Sequence, residues 1–286
     1  DGAGKTTLLR VLAAVLDPDG GNVRVLGHDL PKDKRNLKRR IGYLSQGFSL
    51  YSDLSIDENL AFFAEIYGVT DYVSRREKLL AFTRLTPFRT RLAGRLSGGM
   101  KKKLALACAL IHGPELIILD EPTTGVDPVS RRDFWVFLGE LLNDGLTIAV
   151  ATPYLDEAEQ CSRVGLLDQG RFLKIGPPVE IKSGMRGRLF EITTPRPRQV
   201  QRQFSTGQFP GLLEMQTQGD RLYVRLEDGP ASVGSISEES FCNGPGPIDR
   251  IRAFLDKGGL HPASIRESTP TLENLFISLI KEEQKR

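Results

Sequence analysis

The chain has 286 residues, 40% of them apolar, with 39 Lys and Arg against 36 Asp and Glu for a formal net charge of +3. That length holds one large or two ordinary domains and supplies enough apolar residues for a core, while so small a net charge gives no electrostatic footprint for nucleic acid. No apolar run approaches the roughly 18 residues that cross a bilayer, and Cys108, Cys161 and Cys242, widely spaced and without a CxxC pair, fit a reducing compartment rather than a disulfide framework or a zinc site.

Apolar residues at Leu8, Leu9, Val11, Leu12, Val15 and Leu16 predict a helix from Lys5 to about Leu16, stopped by Asp17-Pro18-Asp19-Gly20-Gly21. Val23 and Val25 start a short strand, and Ile41-Gly42-Tyr43-Leu44 is another. The charged runs Lys32–Arg40 and Lys101-Lys102-Lys103 are expected to be solvated faces. From about Ile56 to Thr90 the pattern is helical, with breaks at Gly68 and Pro87, and a further helix runs from about Ser97 to Ile111. Glu115-Leu116-Ile117-Ile118-Leu119-Asp120 is a continuous apolar run between turn residues, as a buried parallel strand requires. Helix Ser130–Leu142 follows, then a second buried strand, Thr147–Ala151, a helical turn at Tyr154–Gln160, and a hairpin of Arg163–Leu167 with Arg171–Ile175. Strands alternating with helices predict an α/β domain with a largely parallel sheet over about 1–185. Past Gly184 the texture changes: alternating strands at Arg188–Thr194 and Arg221–Glu227, a loop at Asp228–Pro247, and helices at Ile248–Lys257 and Thr271–Lys285 predict a small α+β domain over 186–286.

Gly2-Ala3-Gly4-Lys5-Thr6-Thr7 matches the end of the phosphate-loop pattern GxxxxGK[ST]. Its glycines let backbone N–H groups curl around phosphate oxygens, and the helix that begins at Lys5 aims its N-terminus at the same anion. Lys5 is expected on the β- and γ-phosphates and the Thr6 hydroxyl on Mg²⁺. Asp120 ends a buried strand, where a carboxylate is costly unless it has a task. In a P-loop NTPase that task is the Mg²⁺ shell. Glu121 beside it can orient and deprotonate a water for attack on the γ-phosphate. Leu96-Ser97-Gly98-Gly99-Met100 opens a helix and so presents a second anion-binding N-terminus. One nucleotide does not need two cradles on one subunit; two head-to-tail subunits do, each lending its second cradle to the other.

Together these motifs make about residues 1–185 resemble the ATP-binding subunits of ABC transporters. In order, the chain is similar to that family at the Walker A end (Gly2 to Thr7), the Q-loop (Gln46) and a helical subdomain over about 50–112. It then matches the signature (Leu96 to Met100), Walker B (Leu116 to Asp120), the catalytic glutamate (Glu121) and the D-loop (Gly125-Val126-Asp127). The resemblance implies ATP and Mg²⁺ as ligands, a dimer of nucleotide-binding domains that closes on two ATP, and transmembrane permease subunits as partners. It places the chain peripherally on the cytoplasmic face of the inner membrane. Gln46 would reach the metal or the attacking water, and Phe48, Leu50, Tyr51 and Leu54 after it would dock the membrane partner or pack within the helical subdomain. Leu96–Ala109 and Tyr154-Leu155-Asp156-Glu157-Ala158-Glu159 look most like the bacterial multidrug and daunorubicin-resistance exporter branch, which carries a C-terminal α+β extension as 186–286 does here.

Two departures stand out. The first Gly of the phosphate loop falls two positions before residue 1, and the strands and adenine-stacking aromatic expected ahead of it are missing, so the chain reads as a fragment, with a tandem second nucleotide-binding domain as the expected neighbour. The family places a His where Pro153 stands; proline offers no side-chain donor to the γ-phosphate. The expected function is ATP hydrolysis that powers an exporter. The alternatives are a degenerate half that binds ATP but hardly hydrolyses it, and a soluble ABC ATPase acting on ribosomes or DNA.

Overall fold

The computed structural model describes residues 2–47, 50–227 and 246–283; Phe48, Cys242 and most of the expected loop at 228–247 lie outside them. The chain divides into two compact units, one comprising 1–154 with 169–171, the other 155–168 with 172–286.

The first unit opens with helix α1 (Lys5–Leu12). It is shorter than its apolar spacing suggests, because Ala13 and Ala14 bury at its end, Ala14 turns left-handed (φ 55°), and Val15 and Leu16 emerge exposed. A two-stranded antiparallel ribbon, β1 (Val23–Val25) and β2 (His28–Leu30), and a short helix α2 (Lys34–Lys38) follow. The basic run 32–40 is solvated only in part: Leu37 is fully buried, Lys34 pairs with Asp17, and Arg40 forks onto Glu115 at 2.6 and 2.5 Å. Strand β3 (Ile41–Leu44) leads into the helical region: α3 (Ile56–Ile66), α4 (Val73–Phe82), single 3₁₀ turns at Thr86–Phe88 and Ala93–Arg95, and α5 (Gly98–Leu110). Ser55 starts α3 with a reciprocal capping box: its hydroxyl accepts from Glu58 N, and the Glu58 carboxylate accepts from Ser55 N. Strand β4 (Leu116–Asp120), helix α6 (Pro128–Asn143) and strand β5 (Thr147–Ala151) complete the unit.

β3, β4 and β5 form a parallel sheet in that order, with Leu44 opposite Leu119 and Asp120 opposite Ala151. All five residues of β4 are buried, which is why it reads as an unbroken apolar run. One core, of Leu9, Ala13, Leu37, Ile41 and Ile118, lies under α1. A larger one, of Leu60, Leu80, Leu104, Ile117, Phe134 and Leu138, gathers the helices on α5.

The second unit begins at Leu155, ahead of the boundary expected at 185. Helix α7 (Leu155–Ala158), the hairpin β6 (Val164–Asp168) and β7 (Arg171–Gly176), and α8 (Pro178–Ser183) share a core with the C-terminal helix α11 (Leu272–Glu283), through Ala158, Leu166, Ile181, Leu272 and Leu275. Between them run β8 (Arg188–Thr193), α9 (Pro197–Thr206), β9 (Leu212–Gln218), β10 (Arg221–Leu226), α10 (Pro247–Lys257) and β11 (Ser264–Ser268). Their sheet is antiparallel in the order β11-β8-β10-β9, the split β-α-β arrangement of ferredoxin-like folds. Phe190, Ile192, Leu222, Val224 and Ile265 on the sheet pack with Val200, Phe204, Ile251 and Leu255 from α9 and α10.

Candidate functional site

Every residue of the phosphate-loop group lies in the first unit. Gly2 and Gly4 hold left-handed backbones, φ 73° and 98°, which a residue with a Cβ adopts only at a cost. Gly4 is the N-cap of α1 and brings no side chain to it, so the amides of Lys5, Thr6 and Thr7 are left for an external acceptor. Ala3 O accepts from Gly170 N at 2.9 Å. Thr6 lies on the first turn, and its Oγ1 donates to Asp120 Oδ1 at 3.0 Å. Asp120, at the end of β4, is 1% exposed, and its Oδ2 is buried with no hydrogen-bond partner. A hydroxyl and a carboxylate with one unused buried oxygen form the hard-oxygen donor set that suits Mg²⁺.

Glu121 follows with φ 50°, a left-handed conformation that costs a non-glycine residue on the order of 1–2 kcal/mol. Its N–H donates to Ala151 O at 2.9 Å, across the β4–β5 seam. Three donors meet its carboxylate. Gln46 Nε2, just past β3, lies 2.9 Å from Oε2; Thr124 Oγ1 lies 3.3 Å from the same oxygen; Lys5 Nζ lies 3.9 Å from Oε1. So the structure brings Lys5, Thr6, Gln46, Asp120 and Glu121 together at the ends of three parallel strands and the start of α1. Pro153 stands two residues beyond β5, where Thr152 Oγ1 accepts from Tyr154 N at 3.1 Å.

Bonds at the signature segment are local. Ser97 caps α5, its Oγ accepting from Met100 N at 3.3 Å, which leaves its O–H free to donate. A Cβ on Gly98 would meet nothing within 4 Å, whereas one on Gly99 would stand 2.7 Å from Ser130 Oγ. Ser130 N in turn donates to Asp127 Oδ1 at 2.9 Å, the N-cap of α6. That bond leads in holding the Asp127 carboxyl below its ordinary value.

Of the expected docking residues, Leu50 packs on the helical core, and Tyr51 is 46% exposed, its ring centre 4.4 Å from that of Phe62 in an edge-on arrangement. Two residues near Glu121 escape sequence reasoning. Thr124 is indistinguishable in sequence from Thr123, and only the turn separates the fully buried one from the one beside the carboxylate. Lys102, expected on a solvated face, is only partly exposed. Burial lowers its ammonium below the usual value, and the Glu121 charge opposes that. Its neighbour Lys103 reaches Asp133 at 3.9 Å.

The ABC transporter family profile matches residues 1–124. The probable multidrug ABC transporter ATP-binding protein YbhF of Escherichia coli (strain K12) is 40% identical over 98% of this chain and 46% of its own length. The chain therefore spans about half of that relative. The daunorubicin/doxorubicin resistance ATP-binding protein DrrA of Streptomyces peucetius is 31% identical over 96% of this chain and 86% of its own. Among solved structures, the dimeric ATP-binding cassette MJ0796 in a post-hydrolysis state with ADP and Pi superposes with a TM-score of 0.54 at 25% identity, covering 62% of this chain and 81% of that one. No helix among the described residues is long and apolar enough to cross a membrane.

Proposed function

Because the chain belongs to the ATP-binding proteins of the ABC transporter family, we propose that it binds and hydrolyses ATP and, by closing on a second nucleotide-binding domain, powers a membrane exporter. One observation carries this reading: Thr6 rests on a buried Asp120 with an unused oxygen, while Lys5 and Gln46 converge on Glu121 next to it.

In this reading the amides of Gly2 to Thr7 and the Lys5 ammonium hold the β- and γ-phosphates. Thr6 and Asp120, joined by Gln46, would hold Mg²⁺. The ion, when bound, neutralises charge on the phosphate oxygens. Glu121 accepts the proton of the attacking water. Lys5 leaves Glu121 for the phosphates, so nucleotide entry frees the base it will need. Ser97, Gly98 and Gly99 face the nucleotide held by the partner domain, whether that domain is a second copy or a tandem neighbour. The open space before Gly98 and the uncommitted Ser97 hydroxyl support this. Tyr51 and its surroundings form the docking surface for transmembrane permease subunits, with the chain on the cytoplasmic face of the inner membrane. The named relatives are a probable multidrug ABC transporter ATP-binding protein and a daunorubicin/doxorubicin resistance ATP-binding protein, which disfavours an ATPase acting on ribosomes or DNA. A second reading, slow turnover at this site, is favoured by Pro153, which brings no donor to the phosphate side.

Mg²⁺-dependent ATP hydrolysis by the full chain tests the proposal. Glu121→Gln is expected to bind ATP and to stop turnover, and Lys5→Ala to lose ATP binding. Turnover by Glu121→Gln at the parent rate refutes the assignment of the base.

A further inference from the structure

Three groups hold the Glu121 carboxylate, and they are not equivalent. Under the reading above, on which this inference rests, Lys5 is recruited by phosphate and Gln46 by the metal or the attacking water. Neither can stay on Glu121 throughout the reaction. The Thr124 hydroxyl, 3.3 Å from Oε2, has no such second task. It also sits on the same turn as its acceptor: Thr124 N donates to Glu121 O at 3.3 Å, and Val126 N to Thr123 O at 3.1 Å. That turn starts from the left-handed Glu121 backbone, which fixes where the carboxylate leaves the chain. Pro153, two residues beyond β5, contributes no side-chain donor. We propose that Thr124 is the positioning residue for Glu121, keeping the carboxylate aimed at the attacking water once Lys5 and Gln46 have moved to their ligands.

The side chain is suited to this. Thr124 is partly buried, so water competes only in part for its hydroxyl. A hydrogen bond to a charged acceptor is about twice as strong as a neutral one, and its β-branched side chain has few rotamers to lose. A role through Glu121 affects the chemical step and leaves nucleotide binding alone, which separates it from a packing role.

The experiment compares Thr124→Val, which keeps the shape and removes the donor, with Thr124→Ser, which keeps the donor. Steady-state ATPase and equilibrium ATP binding are read on the full chain. Thr124→Val is expected to lower kcat on the order of tenfold with KM and ATP affinity within twofold of the parent, and Thr124→Ser to retain kcat within twofold. If the valine variant does not accumulate as folded protein, Thr124→Ala replaces it with the same expectation. A parent-like kcat in the donor-less variant overturns the proposal. So does an equal loss in the serine and valine variants, or a loss confined to KM and thermal stability. Glu121→Gln run alongside tells the two assignments apart. If it abolishes turnover while Thr124→Val is silent, the base stands and the positioning role falls. If it turns over normally, both fall.

Discussion

Asp120 and Pro153 occupy neighbouring strand ends and carry opposite lessons. Asp120 is legible from sequence because a carboxylate ending an all-apolar strand has no structural excuse, and the structure leaves its Oδ2 buried and unpartnered. Glu121 was legible as the next residue, but its left-handed backbone and its three donors were not: Gln46 and Lys5 come from 75 or more positions away, and Thr124 is brought in by the local turn. Pro153 is the residue whose effect is sharpest to test. It can donate neither from side chain nor backbone, so under the proposed reading the phosphate side of the site would lack one preorganised contact. Restoring a donor with Pro153→His is expected to raise the single-turnover rate of ATP hydrolysis by on the order of 10²-fold. The neighbouring Thr152–Tyr154 bond does not use the Pro153 side chain, so the substitution should leave ATP binding alone. An unchanged single-turnover rate means Glu121 and its donors suffice without that contact.

Among the elements, α1, β3, β4, β5 and α5 were readable and β9, β11 and α9 were not, for one reason. Of the first set, β3 and β4 are almost wholly buried and α1 and α5 carry motifs, while β5 was legible from its apolar run although, against the expectation of a buried strand, only its Ala151 is buried. By contrast β9 (Leu-Leu-Glu-Met-Gln-Thr-Gln) and β11 (Ser-Ile-Arg-Glu-Ser) bury one face on helices and turn a polar face the other way, so little apolar signal remains. The start of α5 shows what sequence could not separate: the two signature glycines look alike, yet only Gly99 is packed, against Ser130 at the start of α6. Gly99→Ala must push the two helices apart, and a loss of about 1–3 kcal/mol in thermal or denaturant unfolding is expected. Gly98→Ala adds a methyl into open space and should fold as stably as the parent. If Gly98 faces the partner's nucleotide, that same methyl should weaken ATP-dependent association of the domains, as read by sedimentation or scattering. Stable Gly98→Ala with parent-like association removes Gly98 from the partner's site.

At the scale of the molecule, the second unit has a helix that serves two surfaces at once. One side of α11 buries Leu272 and Leu275 with Ala158, Leu166 and Ile181, and its first amide donates to Glu159 Oε1 at 2.9 Å. The other side meets the face of the sheet turned away from α9 and α10 through polar groups. Asn274 and Gln216 exchange bonds at 3.0 Å, and Glu214 takes Lys281 at 2.8 Å, Arg225 at 3.1 Å and the Ser278 hydroxyl. Glu214 and Arg225 are about nine-tenths buried there, so removing Glu214 leaves the Arg225 guanidinium desolvated and without its ion pair. Glu214→Ala is therefore expected to cost about 3 kcal/mol in the stability of this unit, with amides of α11 and β9 exchanging first. The same carboxyl sets a pH dependence. Burial pushes its pKa up, but hydrogen bonds from Lys281, Ser278 and Gln216 together outweigh burial and hold it below the ordinary value. A carboxyl depressed in the folded state stabilises it above the unfolded pKa, and that contribution is lost as pH falls through the folded pKa. Protection of α11 should accordingly be full at neutral pH and weaken through the acidic carboxylate range. Glu267, held low by Arg188 on β8, adds a second contribution of the same sign. Glu214→Gln isolates the first: it should flatten the pH dependence of α11 exchange while the Glu267 contribution persists. If α11 in Glu214→Gln loses protection with falling pH as steeply as the parent, the pH dependence of this helix does not come from Glu214.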